Sequence, residues 1–223
     1  MSKEVLVCPD ELPSGIIDRV ANAVSEGQII VCPTDTLYAL VADAKNLTAT
    51  ERIYAIKSRS TDQPLPIIAA DVQQVNDQVG ALSQLGERLA SIFWPGPLTL
   101  VVSAHTALGD QCKAADGSVA VRVPDQNFTR EVISEVGHPV TATSANVSGD
   151  TAISRIGDLS QEIRDGVDLI VDVGTLAGGA PSTIVDVRYA KPILIRDGAV
   201  PWKRVLESLQ CCGESLSAPT DHQ

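Results

Sequence analysis

Short β-branched runs alternate with amphipathic stretches along nearly the whole 223-residue chain, and this alternation limits the fold more than any other feature. Ile16–Glu26 sets Ile16, Ile17, Val20, Ala23 and Val24 at helical spacing, with Gly15 and Gly27 as brackets. Ile29–Cys32 then reads as a buried strand cut off by Pro33. Further strands are predicted at Val5–Val7, Pro66–Ala70, Leu98–Ser103, Val119–Val123, Val140–Thr143, Leu169–Val173, Thr183–Arg188 and Ile193–Arg196. Thr48-Ala-Thr-Glu51 has the form of a capping box, which predicts a helix from Thr48 to about Lys57. Other helices are expected near Asp71–Gly80, Leu82–Phe93, Asn127–Val136, Leu159–Arg164 and Trp202–Leu209. The order predicts an α/β or α+β domain with a mixed twisted sheet. The closely spaced strands around Leu98–Val123 and Thr183–Arg196 have no helix between them, so at least part of the sheet should be antiparallel.

Composition narrows the class. Aromatics are only 3%, so Val, Ile, Leu and Ala must build the core, as in sheets buried on both faces. With 44% hydrophobic and 20% charged residues, the chain is not a disordered polymer. Lys and Arg number 17 against 28 Asp and Glu, a net charge of −11. That balance argues against broad electrostatic capture of nucleic acid, so any phosphate chemistry must rest on a local group of cations. No apolar run approaches the ~18 residues of a membrane span, and MSKEVLVCPDELPSG lacks the apolar segment of a signal peptide. A soluble cytoplasmic protein with no membrane partner is expected. Cys8, Cys32, Cys112, Cys211 and Cys212 form no CxxC pair and leave an odd count, against a disulfide framework. The Asn-x-Ser/Thr sequences at Asn46, Asn127 and Asn146 then need reasons other than glycosylation.

The familiar nucleotide signatures GxxxxGK[ST] and GxGxxG are absent, as is HExxH, and His105, His138 and His222 are scattered. What stands out instead is a set of apolar runs that end in hydroxyls or cations. Cys32-Pro-Thr-Asp-Thr-Leu-Tyr38 offers Thr34, Asp35 and Thr36 at a strand end, either as a capped turn or to a small polar ligand. Lys57-Ser-Arg59, followed by Gln63, puts a point charge and a planar fork near a helix end, where they suit the helix dipole or a triphosphate. Thr141-Ala-Thr-Ser-Ala-Asn146-Val-Ser-Gly149 supplies Ser144 and Asn146 directly after a strand, for a hydrogen-bonded turn or for phosphate and ribose oxygens. Gly178-Gly-Ala-Pro-Ser-Thr183 leads to Arg196 and Gly198, with glycines that permit close backbone approach. Arg122 interrupts the apolar strand Val119-Ala-Val-Arg-Val-Pro124, where a buried charge is costly unless paired.

Seven stretches resemble those of the YrdC-like threonylcarbamoyl-AMP synthases: PTDTLYAL (33–40), KSRSTDQPL (57–65), WPGPLTLVV (94–102), VAVRVP (119–124), TSANVSG (143–149), PSTIVDV (181–187) and LIRDG (194–198). They occur in family order and span roughly residues 15–210. The resemblance implies an α/β fold with a twisted mixed parallel and antiparallel sheet, flanked by helices and curved around a deep concave cavity. It implies the short, single-domain form, with a catalytic domain over residues 1–212 and a flexible tail at 213–223. The implied reaction joins L-threonine, bicarbonate or CO₂ and ATP, with Mg²⁺, into threonylcarbamoyl-AMP and pyrophosphate. A separate tRNA-threonylcarbamoyl transferase complex would consume the product to modify tRNA. The alternative is a YrdC-fold protein that binds tRNA or double-stranded RNA, or a paralogue without synthase activity.

Carried over residue by residue, the resemblance places Lys57, Arg59, Ser144 and Asn146 in catalysis around the nucleotide. Gln63, Ser118 and Arg196 align with further ATP contacts, and Thr34, Thr36, Arg122, Ala142 and Ser182 with the threonine pocket. A histidine that some members hold in that pocket is matched here by Ile68, and Ala39 replaces a usual glycine. In this reading Lys57, Arg59 and Arg196 screen the triphosphate while Arg122 clamps the threonine carboxylate.

Overall fold

The computed structural model describes residues 4–6, 14–106 and 108–210. The expected tail at 213–223, and with it Cys8, Cys211 and Cys212, lies outside the described residues. Strands β1 (Glu4–Leu6), β2 (Ile30–Cys32) and β3 (Ala39–Val41) are joined by helix α1 (Ile16–Ser25) between the first two. Helix α2 (Leu47–Lys57) leads to β4 (Ile67–Ile68), α3 (Val72–Gln74, running on into a π-turn at Val75–Val79) and α4 (Gln84–Phe93). Then follow β5 (Leu98–Ser103), β6 (Ser118–Arg122), α5 (Asn127–Val136), β7 (Val140–Thr141) and β8 (Thr143–Ser144). The chain continues through α6 (Gln161–Gly166), β9 (Leu169–Asp172), β10 (Thr183–Asp186), β11 (Ile193–Arg196) and α7 (Trp202–Gln210).

The strands form a five-stranded sheet ordered β1-β9-β2-β3-β8 and a six-stranded sheet ordered β11-β10-β5-β6-β4-β7. Pairing is mixed in both, and β5–β6 and β10–β11 are antiparallel, each pair joined without an intervening α-helix. The expected strand Val140–Thr143 is divided at Ala142. Thr141 pairs with Ile67 of β4, whereas Thr143 pairs with Leu40 of β3. Ala142 donates to the Pro66 carbonyl at 2.8 Å, so the chain crosses from one sheet to the other at that residue. The two sheets thus meet along the segment from Thr141 to Ser144.

Period-two alternation decides which faces are buried. Along β2 and its approach, Ile29 and Val31 enter the large core cluster, while Ile30 and Cys32 pack with α1 and α5 in a second cluster. The five-stranded sheet is therefore covered on both faces, which explains its unbroken apolar runs. The six-stranded sheet differs at its centre. Leu98, Leu100 and Val102 of β5 and Val119 and Val121 of β6 face the large core. Their alternates Thr99 and Val101, and Ser118, Ala120 and Arg122, must share the opposite face.

Helix α2 begins at Leu47, one residue before the Thr48 start that the capping-box reading predicts. Asn46 is its N-cap, accepting from the Ala49 amide at 3.0 Å, while Thr48 lies inside the helix. The three sequons resolve the same way: Asn46 caps α2, Asn127 opens α5, and Asn146 joins the polar group described next.

Candidate active site

Helix α2 ends at Ser58, whose backbone is left-handed (φ 48°). That turn leaves Lys57 directed inward, 1% exposed, although nothing in a helix end demands a buried cation. Its Nζ donates to the carbonyls of Ser144 and Asn146, each at 2.6 Å, and to Asn146 Oδ1 at 3.2 Å. Ser144 Oγ donates to the same Oδ1, and Asn146 Nδ2 donates to the Asp150 carbonyl at 2.7 Å. Lys57, Ser144 and Asn146 are thus brought together at the β8 edge, across a sequence gap of 87 residues. Burial pulls the Lys57 ammonium down to about 8, with the charge of Arg59 acting in the same direction. Arg59 donates through Nε to the Gln63 carbonyl and through Nη2 to the Pro64 carbonyl, both at 3.1 Å. Burial lowers its pKa as well. Gln63 thus enters the group through its main chain, and its side chain is exposed.

A second cation pair, Arg122 and Arg196, lies on the six-stranded sheet. Arg196 donates from Nε and Nη2 to the Ser182 carbonyl (3.1 and 2.7 Å) and from Nη2 to Ser182 Oγ at 3.3 Å. Ser182 Oγ in turn meets Thr99 Oγ1 at 2.8 Å. Arg122 lies one residue past the Val121–Leu100 pair and Thr99 one residue before Leu100, so they neighbour each other across the ladder. Burial and then the charge of Arg122 lower the Arg196 pKa, which places the two guanidinium groups within electrostatic reach. Close approach here depends on Gly198, where a Cβ would lie 2.2 Å from the Pro181 oxygen. At Gly178 and Gly179 the requirement is a left-handed backbone (φ 69° and 91°), not close packing.

The turn after β2 reaches over to this face. Asp35 pairs with Arg122, which answers how a charge can interrupt an apolar strand. Thr34 holds the turn itself: its Oγ1 donates to the Leu37 carbonyl at 2.7 Å and accepts from the Thr36 and Leu37 amides. Thr36 Oγ1 stands 3.3 Å from Thr34 Oγ1, and its carbonyl accepts from the Gly178 amide at 3.1 Å. Ala142 sits at the crossing between the sheets, two residues from Ser144, about 7 Å of extended chain. The segment that positions Ser144 and Asn146 over Lys57 is therefore the one that borders the Arg122 strand through β4.

Ser118 shares the face of Arg122 but starts the same strand, four residues and about 13 Å away. Near that end, Arg188 is held by Asp186 (2.7 Å) and Asp116 (2.8 Å). Ile68, the counterpart of the family's occasional histidine, pairs in register with Arg122 and is buried among Phe128, Val132 and Val140. Ala39 is an ordinary strand residue opposite Cys32 and Ser144. Thr99 and Asp35 are the site residues the motif alignment passes over. Thr99 carries a legible signal, a lone hydroxyl inside Leu-Thr-Leu-Val-Val.

Lys57 is buried, Arg59 half-buried and Arg196 exposed, and all three have only neutral acceptors and no carboxylate partner among the described residues. Cations on neutral acceptors are the chemistry an anion would complete, here in an α/β protein where two sheets meet.

Comparison with known proteins agrees. A family model named Sua5_yciO_yrdC, described as "Telomere recombination", matches residues 22–198. A Methanocaldococcus jannaschii protein named putative threonylcarbamoyl-AMP synthase is 31% identical over 190 residues, covering 85% of this chain and 89% of its own length. A Bacillus subtilis threonylcarbamoyl-AMP synthase is 33% identical over 85% of this chain, which spans 55% of that longer protein. The structure of Pyrococcus abyssi Sua5 complexed with L-threonine matches with a TM-score of 0.87 at 29% identity, covering 92% of this chain and 60% of the other. The chain belongs to the Sua5/YciO/YrdC family.

Proposed function

We propose that this chain is a threonylcarbamoyl-AMP synthase, forming threonylcarbamoyl-AMP and pyrophosphate from L-threonine, CO₂ or bicarbonate, and ATP. The observation that carries the reading is the set of cations held on neutral acceptors near the meeting of the sheets, with Lys57 fully buried among them. The relatives' names and the Sua5 complex with L-threonine supply the substrate class.

The chemistry suits these residues. The free amine of threonine adds to CO₂ and loses a proton, giving a carbamate. A carbamate oxygen then attacks the α-phosphorus, and the bond to pyrophosphate breaks. Both reactants are anions, so the barrier includes their mutual repulsion. Lys57 and Arg59 face the polyphosphate, Arg196 takes the charge nearest Ser182, and Arg122 holds the amino acid's carboxylate. Positioning and charge neutralisation then supply most of the acceleration, without a strong general base. Ser144, Asn146, Gln63 and Ser118 serve the nucleotide, and Thr34, Thr36, Ala142 and Ser182 shape the threonine pocket. No cluster of three or more His, Cys, Asp or Glu able to hold a metal occurs among the described residues. Magnesium would therefore arrive on the triphosphate's own oxygens, adding positive charge to the leaving group. The product passes to a tRNA-threonylcarbamoyl transferase complex.

Pyrophosphate release tests the proposal. It is expected to require threonine and bicarbonate together, and Arg59→Ala is expected to raise the barrier by ~2–4 kcal/mol. Release at the same rate without threonine would refute the assignment.

A further inference from the structure

One buried group in the site has half its bonding capacity unused. Asp35 is 8% exposed at its side chain and pairs with Arg122 through Oδ1 only. Its other oxygen, Oδ2, is buried and accepts no hydrogen bond. An unpartnered carboxylate oxygen inside a protein is costly and rare. The surrounding turn does not relieve it, since the Thr34 hydroxyl and the Thr36 and Leu37 amides are committed to one another. Nor does Arg122, whose recorded contact is with Oδ1.

An α-amino acid carries a carboxylate and an ammonium group separated by a single carbon. A guanidinium lying against a carboxylate presents the complementary pair of charges at a similar spacing. We infer that Asp35 is a specificity residue for the amino-acid substrate, its Oδ2 accepting a hydrogen bond from the α-amine while Arg122 holds the carboxylate. The inference rests on the threonine reading above and deepens it. It gives the amine a fixed position beside Arg122, which the approach of CO₂ to the nitrogen lone pair requires. It also explains why the Thr34–Thr36 turn is braced so heavily: Asp35 is aimed by its neighbours and not by its own second oxygen.

The test compares two ligands by calorimetry without nucleotide: L-threonine, and 3-hydroxybutyrate, which keeps the carboxylate and hydroxyl but lacks the amine. Wild type is expected to bind threonine at least about 10-fold more tightly. Asp35→Asn keeps an oxygen for Arg122 but removes the charge; it is expected to weaken threonine about 10-fold or more while changing 3-hydroxybutyrate less than about 2-fold. ATP binding by the variant reports that it is folded. Equal losses for both ligands would show that Asp35 only props Arg122, and would overturn the inference. If the variant does not fold, wild type decides alone: equal affinity for the two ligands also overturns it. Wild type that binds neither ligand while binding ATP refutes the threonine reading itself, and the Asp35 role with it.

Discussion

Lys57 shows how far a single residue can be read from sequence. Its type and its neighbour Arg59 were enough to suggest an anion clamp, yet the helix-dipole explanation fits the same letters. Burial separates the two, since a lysine serving a dipole stays in solvent, and this one is 1% exposed. The consequence is measurable. The folded-state pKa of about 8 lies below the ordinary lysine value, because burial and then Arg59 disfavour the charge. Between that value and about 10.4 the folded state binds fewer protons than the unfolded state, so this group's contribution to stability rises with pH in that window. Below it, the charged ammonium is a fixed cost that an arriving polyphosphate offsets. ATP binding near pH 8.5 should therefore draw in a fraction of a proton. Calorimetry in buffers of different ionisation enthalpy reads this as a buffer-dependent heat, lost in Lys57→Met. Identical heats in all buffers for wild type would contradict the role. Asp35 marks the limit of legibility at this scale: its letter is visible between two threonines, but not which of its oxygens is left over.

At the level of elements, the strongly periodic segments were legible and the crossing points were not. Helices α1, α4, α5 and α7 follow their apolar spacing closely. Helix α2 does not, because its buried stripe includes Thr50 and Lys57 beside Ala49, Ile53 and Tyr54. That polar content hides the period and leaves the capping box as the main guide, which points to Thr48 where Asn46 caps. Strand β3 has no prediction of its own, since its Ala39 and Leu40 close the PTDTLYAL stretch, which reads as a ligand-binding turn. The division of Val140–Thr143 at Ala142 is a tertiary fact, fixed by the competing partners β4 and β3. Gly198 is similar, since its need arises from Pro181 and Ser182 on another element. Gly198→Ala would push a Cβ to 2.8 Å from the Ser182 carbonyl oxygen, which also receives Arg196. We expect a loss of ~1–3 kcal/mol in urea unfolding and a raised KM for threonine. Gly157→Ala, with open space around its Cβ, is the control and should be close to neutral. An unchanged KM in Gly198→Ala would mean that the β10–β11 approach does not shape the pocket.

For the molecule as a whole, composition had ruled out a surface that attracts polyanions generally, and the structure gives that exclusion its counterpart. A chain of net charge −11 buries Lys57 and Arg122, and holds Lys57, Arg59 and Arg196 on neutral acceptors. The contacts that assemble them span 87 residues twice over, Asp35 to Arg122 and Lys57 to Ser144. No local pattern reports such distances, so resemblance to a family supplied the grouping and topology supplies its cause: two sheets joined at Ala142. The central claim is that these cations make neighbours of two molecules that repel each other in water. A crystal structure with L-threonine and a non-hydrolysable ATP analogue tests it most directly. The account predicts threonine's carboxylate on Arg122 and the triphosphate on Lys57, Arg59 and Arg196, with the amine directed toward the α-phosphate. Ligands bound on separate faces, with those four side chains unengaged, would contradict it.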